Sequence, residues 1–277
     1  MIDNHIRSGL LLTALTLMVL AFGLFLGGDQ GLKAALVLAL VMNLGAWWFS
    51  ADLVLARTGA RLVGPETAPE LHALTAHLAE RAGLPMPRLA VVDDPAPNAF
   101  ATGRDPGHAV VAVTTGLLNL LNREELAGVL GHELTHVKNR DILVGSLAAV
   151  LAGAIMVLAR FGFIFSGGRD RERGGHPVAA LLMSLLAPVA ALIIQAAISR
   201  SREYLADDGG ADIAGTPNGL ASALAKLGSR QDQARHVVPD AAHLYIVNPL
   251  SRRSLSSLFA THPPLEERIA RLRGEIV

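Results

Sequence analysis

Residues 131–136 of this 277-residue chain read GHELTH and set two imidazoles and a carboxylate, His132, Glu133 and His136, within five positions. Residues four apart share one face of a helix, so His132 and His136 can present ring nitrogens to one tetrahedral ion. Glu133, next to His132, can reach a water bound to that ion. This is the zinc-peptidase spacing, in which the glutamate acts as general base on the attacking water. The pattern has few fixed letters, and its bland alternative is a helix whose histidines pair with nearby carboxylates. A catalytic zinc keeps three protein ligands and one open position. The third ligand must therefore come from another element, and with no cysteine in the chain it must be His, Asp or Glu. The stretch SREYLADDGGAD, 201–212, offers Glu203, with Asp207 four residues on and on the same helical face. One carboxylate can ligate while the other accepts a hydrogen bond from a ligand histidine and fixes its tautomer. Without GHELTH, Glu203 would read as a surface carboxylate beside Arg200 and Arg202.

The elements that must position these residues lie in an apolar chain. Apolar residues make up 51% and charged residues 17%, the mean hydropathy is +0.41 and the formal net charge is zero. A soluble domain of this size carries more charge. The deficit sits in four charge-free stretches, 8–28, 34–51, 142–159 and 177–199. Each is near the roughly 20 apolar residues a helix needs to cross a bilayer core. The first reads as a retained span and not a cleaved signal, because its apolar core is long and no small-residue cleavage site follows. GGDQG, 27–31, reads as a tight turn into the second span, and Trp47 and Trp48 end that span where an interfacial aromatic belt sits. The lipid bilayer is thus an expected partner. No basic excess exists, so nucleic acid is not.

Four segments follow: an N-terminal transmembrane hairpin (1–51), a first part of a protease domain (52–141), a second transmembrane or membrane-associated hairpin (142–199), and a second part of the protease domain (200–277). His136 precedes the third span and Glu203 follows the fourth. The two meet only if that pair of spans returns the chain to one side, or if neither crosses. Within 52–141 the pattern predicts an amphipathic helix over 65–82 closed by Gly83, strands over 88–93 and 109–115, and a helix from Arg123. Asn122 caps that last helix, Glu125 completes a capping box, and the helix runs to about Asp141. NAFATG, 98–103, reads as a structured loop between the strands that shapes the cleft, with Asn98 touching substrate or supporting it. The strand 109–115 is expected to offer a free edge to an extended substrate, which would explain tolerance of sequence. His262 and Tyr204 are candidate donors to an oxyanion.

PNAFATGRDPGHAVVAVTTGLL, ELAGVLGHELTHVKNRDILV, SREYLADDGGADIAG, AHLYIVNPL and THPPLEERIARL occur in that order. With these motifs the chain resembles the HtpX family, bacterial membrane-bound zinc metalloproteases of the heat-shock response related to the CAAX prenyl endopeptidases. The resemblance covers nearly the whole chain. It implies a mainly α membrane protein with about four transmembrane helices and a cytoplasmic α+β gluzincin-type domain built on a small β-sheet. It implies one Zn2+ per chain on His132, His136 and Glu203, with Glu133 catalytic and Asp207 behind a ligand histidine. It implies an endopeptidase of protein quality control, multi-pass in the bacterial inner membrane. The active site would face the cytoplasm, and the substrates would be polypeptides, chiefly misfolded or damaged membrane proteins. Cations near the span ends lean the same way: Arg7, Arg57, Arg61, Lys138, Arg140, Arg200 and Arg202 fall on the protease side, against Lys33, Arg160, Arg169, Arg171 and Arg173. Three competing readings are a prenyl protease of the sister group, a zinc-bearing scaffold without turnover, and a transporter with a stray motif. Four spans are few for the first. Glu133 has no purpose in the second. The long polar segments disfavour the third.

Overall fold

The computed structural model describes residues 4–151, 200–230, 244–246 and 263–275. The chain opens with α1 (Asn4–Trp48), a helical hairpin broken at Gly27 and Gly28. Gly28 has φ 55°, a backbone state that costs glycine little because it has no Cβ. The reversal therefore falls in GGDQG, where the sequence placed it. The two arms pack closely: a Cβ on Gly23 would meet that of Ala35 at 2.3 Å, and Asn43 donates to Thr16 across the hairpin at 2.7 Å. Among the described residues one helix, Gly27–Trp48, is long and apolar enough to cross a membrane, and Ser8–Ala21 and Asp141–Leu151 are shorter apolar helices. Of the four expected spans, the second part of the third (152–159) and all of the fourth lie outside the described residues.

After the hairpin come α2 (Ser50–Thr58), β1 (Arg61–Val63), α3 (Pro69–Ala82), β2 (Arg88–Val92), β3 (Ala99–Thr102), β4 (Val110–Thr114), α4 (Thr115–Leu120) and α5 (Arg123–Lys138). Then follow α6 (Asp141–Leu151), α7 (Arg200–Ala214), α8 (Pro217–Ser229) and α9 (Leu265–Leu272). The helix expected from residue 65 starts at Pro69. Thr67 and Gly64 bond each other in a turn before it, and proline suits a first helical turn, whose N–H groups have no partner in the helix anyway.

The sheet runs in the order β1-β2-β4-β3, with β2 and β4 parallel and the outer pairs antiparallel. This corrects two expectations. NAFATG contains a strand, β3, which pairs with β4 from Ala99↔Val113 to Thr102↔Val110. The strand near 109–115 is consequently central and offers no free edge; the edge toward the helices belongs to β3. One sheet face, with Leu89, Ala99, Ala101, Val111 and Val113, packs on α3, α5 and α8. The other, with Ala90, Val92, Phe100, Val110 and Ala112, covers Ala51, Val54 and Leu55 of α2. The short segment 244–246 lies along β3: Ile246 N–H donates to the Ala99 carbonyl at 3.0 Å, and Tyr245 meets Phe100 edge-on at 5.2 Å.

The start of α5 is as expected. Asn122 Oδ1 accepts from Glu125 N–H and Glu125 Oε2 from Asn122 N–H, each at 2.9 Å. Glu125 also accepts from Ser222 and Lys226, both at 2.7 Å, which ties this end of α5 to α8. The other end stops at Lys138, short of Asp141. Arg140 takes φ 58°, uncommon for a residue with a Cβ, and a new helix starts at Asp141.

Candidate metal centre

Helix α5 carries His132, Glu133 and His136, and α7 carries Glu203 and Asp207. The two helices cross at glycines. A Cβ on Gly131 would meet the Gly210 carbonyl oxygen at 2.7 Å, and one on Gly210 would meet His132 N at 2.7 Å. The neighbours are backbone atoms and cannot swing aside, so the separation of the two functional helices is set by main chain against main chain. Gly210→Ala is therefore expected to destabilise the chain by about 1–3 kcal/mol, in the range of other overpacked cores. It should also loosen metal binding. Chemical denaturation and chelator competition on the same preparation measure both.

This crossing brings His132, His136 and Glu203 together, with their potential ligand atoms all within 4.8 Å of one another. His132 Nε2 and His136 Nε2 are 3.2 Å apart. Glu203 turns one oxygen to each ring: Oε2 lies 3.8 Å from His132 Nε2 and Oε1 lies 3.7 Å from His136 Nε2. Three tetrahedral ligands about 2.0–2.2 Å from a zinc ion stand about 3.3–3.6 Å apart. The two ring nitrogens are therefore spaced for such an ion, and the Glu203 carboxylate stands close enough to complete the set with a small movement. His132, Glu133 and Glu203 are buried, at 1%, 2% and 4% exposure.

Each histidine is backed by a carboxylate on the nitrogen that faces away from the cluster. His136 Nδ1 and Asp141 Oδ2 are hydrogen-bonded at 3.0 Å. His132 Nδ1 approaches Asp207 Oδ1 to 2.9 Å, close in distance but off-line for a hydrogen bond. Asp207 in turn is gripped by Arg268, which donates from Nε at 2.8 Å and from Nη2 at 2.6 Å. Arg268 is fully buried; its Nη1 donates to the Ile246 carbonyl at 3.1 Å and lies 3.9 Å from Glu203. This one guanidinium thus faces both Glu203 and Asp207 and the segment that lines β3.

Burial pulls His132 down to about 4, with the charges of His136 and Arg268 adding to it against Asp207. Burial acts on His136 too, but the Asp141 hydrogen bond and the charges of Glu203, Asp141 and Glu133 outweigh it and raise the ring to about 9. Burial pushes Glu133 up to about 7; Glu203 works in the same direction, while His136, Arg268 and the Ala101 amide stabilise the anion. Asp207 and Asp141 stay below the usual carboxylate range despite burial, the first because of Arg268 and the second because of His136 and Arg202.

The other residues singled out from sequence fall elsewhere. Asn98 is buried at the start of β3, where its N–H and C=O both bond Thr114. The Tyr204 hydroxyl is committed to Glu267 on α9, under the Arg271 guanidinium. His262 lies outside the described residues. Sequence reasoning passed over Asp141 and Arg268. A signal existed for Arg268, because Leu265, Arg268, Ile269 and Leu272 form one helical stripe and a charge on an apolar stripe calls for a buried partner.

A helix-borne His-Glu-x-x-His set with a glutamate from a second helix is the centre of a metallopeptidase. The sequence model of Peptidase family M48 matches residues 65–276, and the chain belongs to that family and is a metalloprotease. Its relatives place it among the HtpX proteases. It is 54% identical over 276 residues to a Protease HtpX homolog of Desulforapulum autotrophicum, covering 98% of this chain and 89% of that one. It is 52% identical to a Protease HtpX homolog of Thermococcus kodakarensis, with coverages of 97% and 94%. Among solved structures, Ste24p of S. mikatae shares the fold, with a TM-score of 0.52 at 20% identity; the match covers 94% of this chain and 62% of that one.

Proposed function

We propose that this metalloprotease is a zinc-dependent endopeptidase that cuts misfolded or damaged membrane proteins as part of protein quality control. It acts from the cytoplasmic face of a bacterial inner membrane, which it crosses more than once. The observation that carries the reading is the convergence of His132, His136 and Glu203, with ligand atoms all within 4.8 Å of one another and the two ring nitrogens 3.2 Å apart, and with Glu133 buried beside them. The apolar helix Gly27–Trp48 supports the membrane placement.

In this reading His132 and His136 ligate through Nε2 and Glu203 through its carboxylate. A bound zinc ion supplies Lewis acidity toward water and toward the scissile carbonyl. The rest of the chemistry belongs to the chain. Asp141 and Asp207 hold the two rings with Nε2 inward. Glu133, raised toward neutrality by burial, is matched to taking a proton from the attacking water and passing it to the leaving amine. The Ala101 amide lies within hydrogen-bonding reach of that carboxylate and can hold it in place. An extended peptide laid near β3 would be read mainly by its backbone, in keeping with unfolded substrates.

Removal and return of metal tests this. A chelator is expected to abolish cleavage of an unfolded casein-like substrate by the detergent-solubilised chain, and about one equivalent of zinc should restore it. Glu203→Gln, one donor poorer, should need far more zinc for the same rate. Cleavage that survives complete metal removal would sink the proposal.

A further inference from the structure

The membrane hairpin ends on the metal centre. Asn4, in the first turn of α1, donates from its amide nitrogen to the Asn139 carbonyl and to Asp141 Oδ1, each at 2.9 Å. Both amide hydrogens are thus spent on one short segment, the turn between α5 and α6 in which Arg140 holds its positive φ. Arg202 Nη1 completes the cluster, donating to Asp141 Oδ1 at 3.0 Å and to Asn4 Oδ1 at 3.5 Å. With one oxygen of Asp141 held by Asn4 and Arg202, the other is left facing His136 Nδ1 at 3.0 Å. More than 130 residues separate Asn4 from this turn, so nothing local demands the contact.

We infer that Asn4 is a positioning residue of the peptidase: it clips the end of the membrane hairpin to the turn that carries Asp141, and through Asp141 it fixes the His136 ring. The inference rests on the proposed role of His136 as a ligand. The Asn139 carbonyl at the end of α5 has no partner further along that helix, and a donor from α1 supplies one. A turn held in a sparsely populated backbone state persists when its surroundings over-determine it. Asn4 and Arg202 are those surroundings. Loosening the hairpin frees Asp141 to turn away and leaves the ring without its orienting partner. In this way the state of the hairpin in the membrane is coupled to metal affinity.

The test uses the full-length chain in detergent and reads zinc affinity by competition with a chromophoric chelator. Asn4→Ala is expected to weaken zinc about threefold to tenfold, below the usual range for a residue that touches a ligand directly. Asn4→Asp, which loses the donors and sets a second carboxylate against Asp141, should weaken it further. Thr13→Ala, a change on the exposed side of the same arm, should leave affinity as in wild type. If Asn4 works through Asp141, adding Asn4→Ala to Asp141→Asn changes nothing more. Wild-type zinc affinity in Asn4→Ala or Asn4→Asp, or additive losses in the double variant, would overturn the inference. Failure of the wild-type chain to take up zinc would instead overturn the reading of the site itself.

Discussion

Glu133→Gln is expected to keep its metal and to cleave peptide about 10²–10⁴ times more slowly than wild type. Glutamine matches glutamate in size, so a buried side chain is replaced without leaving a cavity. It can still accept a bond from the Ala101 amide through its carbonyl oxygen. It cannot take a proton from water. Metal content and kcat/KM measured on one preparation separate the two roles. Zinc near one per chain with cleavage lost assigns the proton transfer to Glu133. Loss of zinc together with activity would mean that the residue holds the site together and is not the base. Cleavage at the wild-type rate would end the general-base account altogether. Burial, which lifts the carboxyl to about 7, matters here because a base titrating near the working pH combines availability with proton affinity.

Arg268→Leu is expected to cost about 3–5 kcal/mol of folding stability, the second large effect. Its guanidinium has no exposed surface and donates to both oxygens of Asp207. Removing it strands the Asp207 charge and weakens the field at Glu203, both in an interior that cannot solvate them. The penalty belongs to the orphaned charge and not to the lost contact, which gives the prediction a second part. Arg268→Leu combined with Asp207→Asn should recover much of the loss, because the amide is neutral. Urea unfolding of the single and double variants measures this. A single variant as stable as wild type would show that the buried pair does not anchor α9.

Much of the centre was legible in the sequence, for local reasons. The His-Glu-x-x-His set depends on helical periodicity alone, and the capping box at Asn122 and Glu125 is a four-residue device. Glu203 and Asp207 became legible as an acidic pair four apart once a third ligand was required. What escaped depends on pairing across distance. NAFATG reads as a loop because two small alanines between Asn98 and Gly103 give no strand pattern, and only pairing with β4 makes a strand of it. Whether a strand is central or outermost is likewise invisible in its own residues, so an outer position was assigned to β4 when it belongs to β3. Asp141 sits five residues after His136, off the ligand face of a continuous helix. Only the break at Arg140 swings it back.

The position of Arg268 along the chain also governs when the enzyme can first become dangerous. A ribosome delivers the four residues proposed to bind metal and move the proton well before it delivers α9. Until residues 265–272 emerge and dock, Asp207 and Glu203 face a half-built interior without their guanidinium, and the segment beside β3 lacks the bond from Arg268 to Ile246. A nascent chain of this protease is therefore expected to complete its centre only after Leu265–Leu272 has docked against α7.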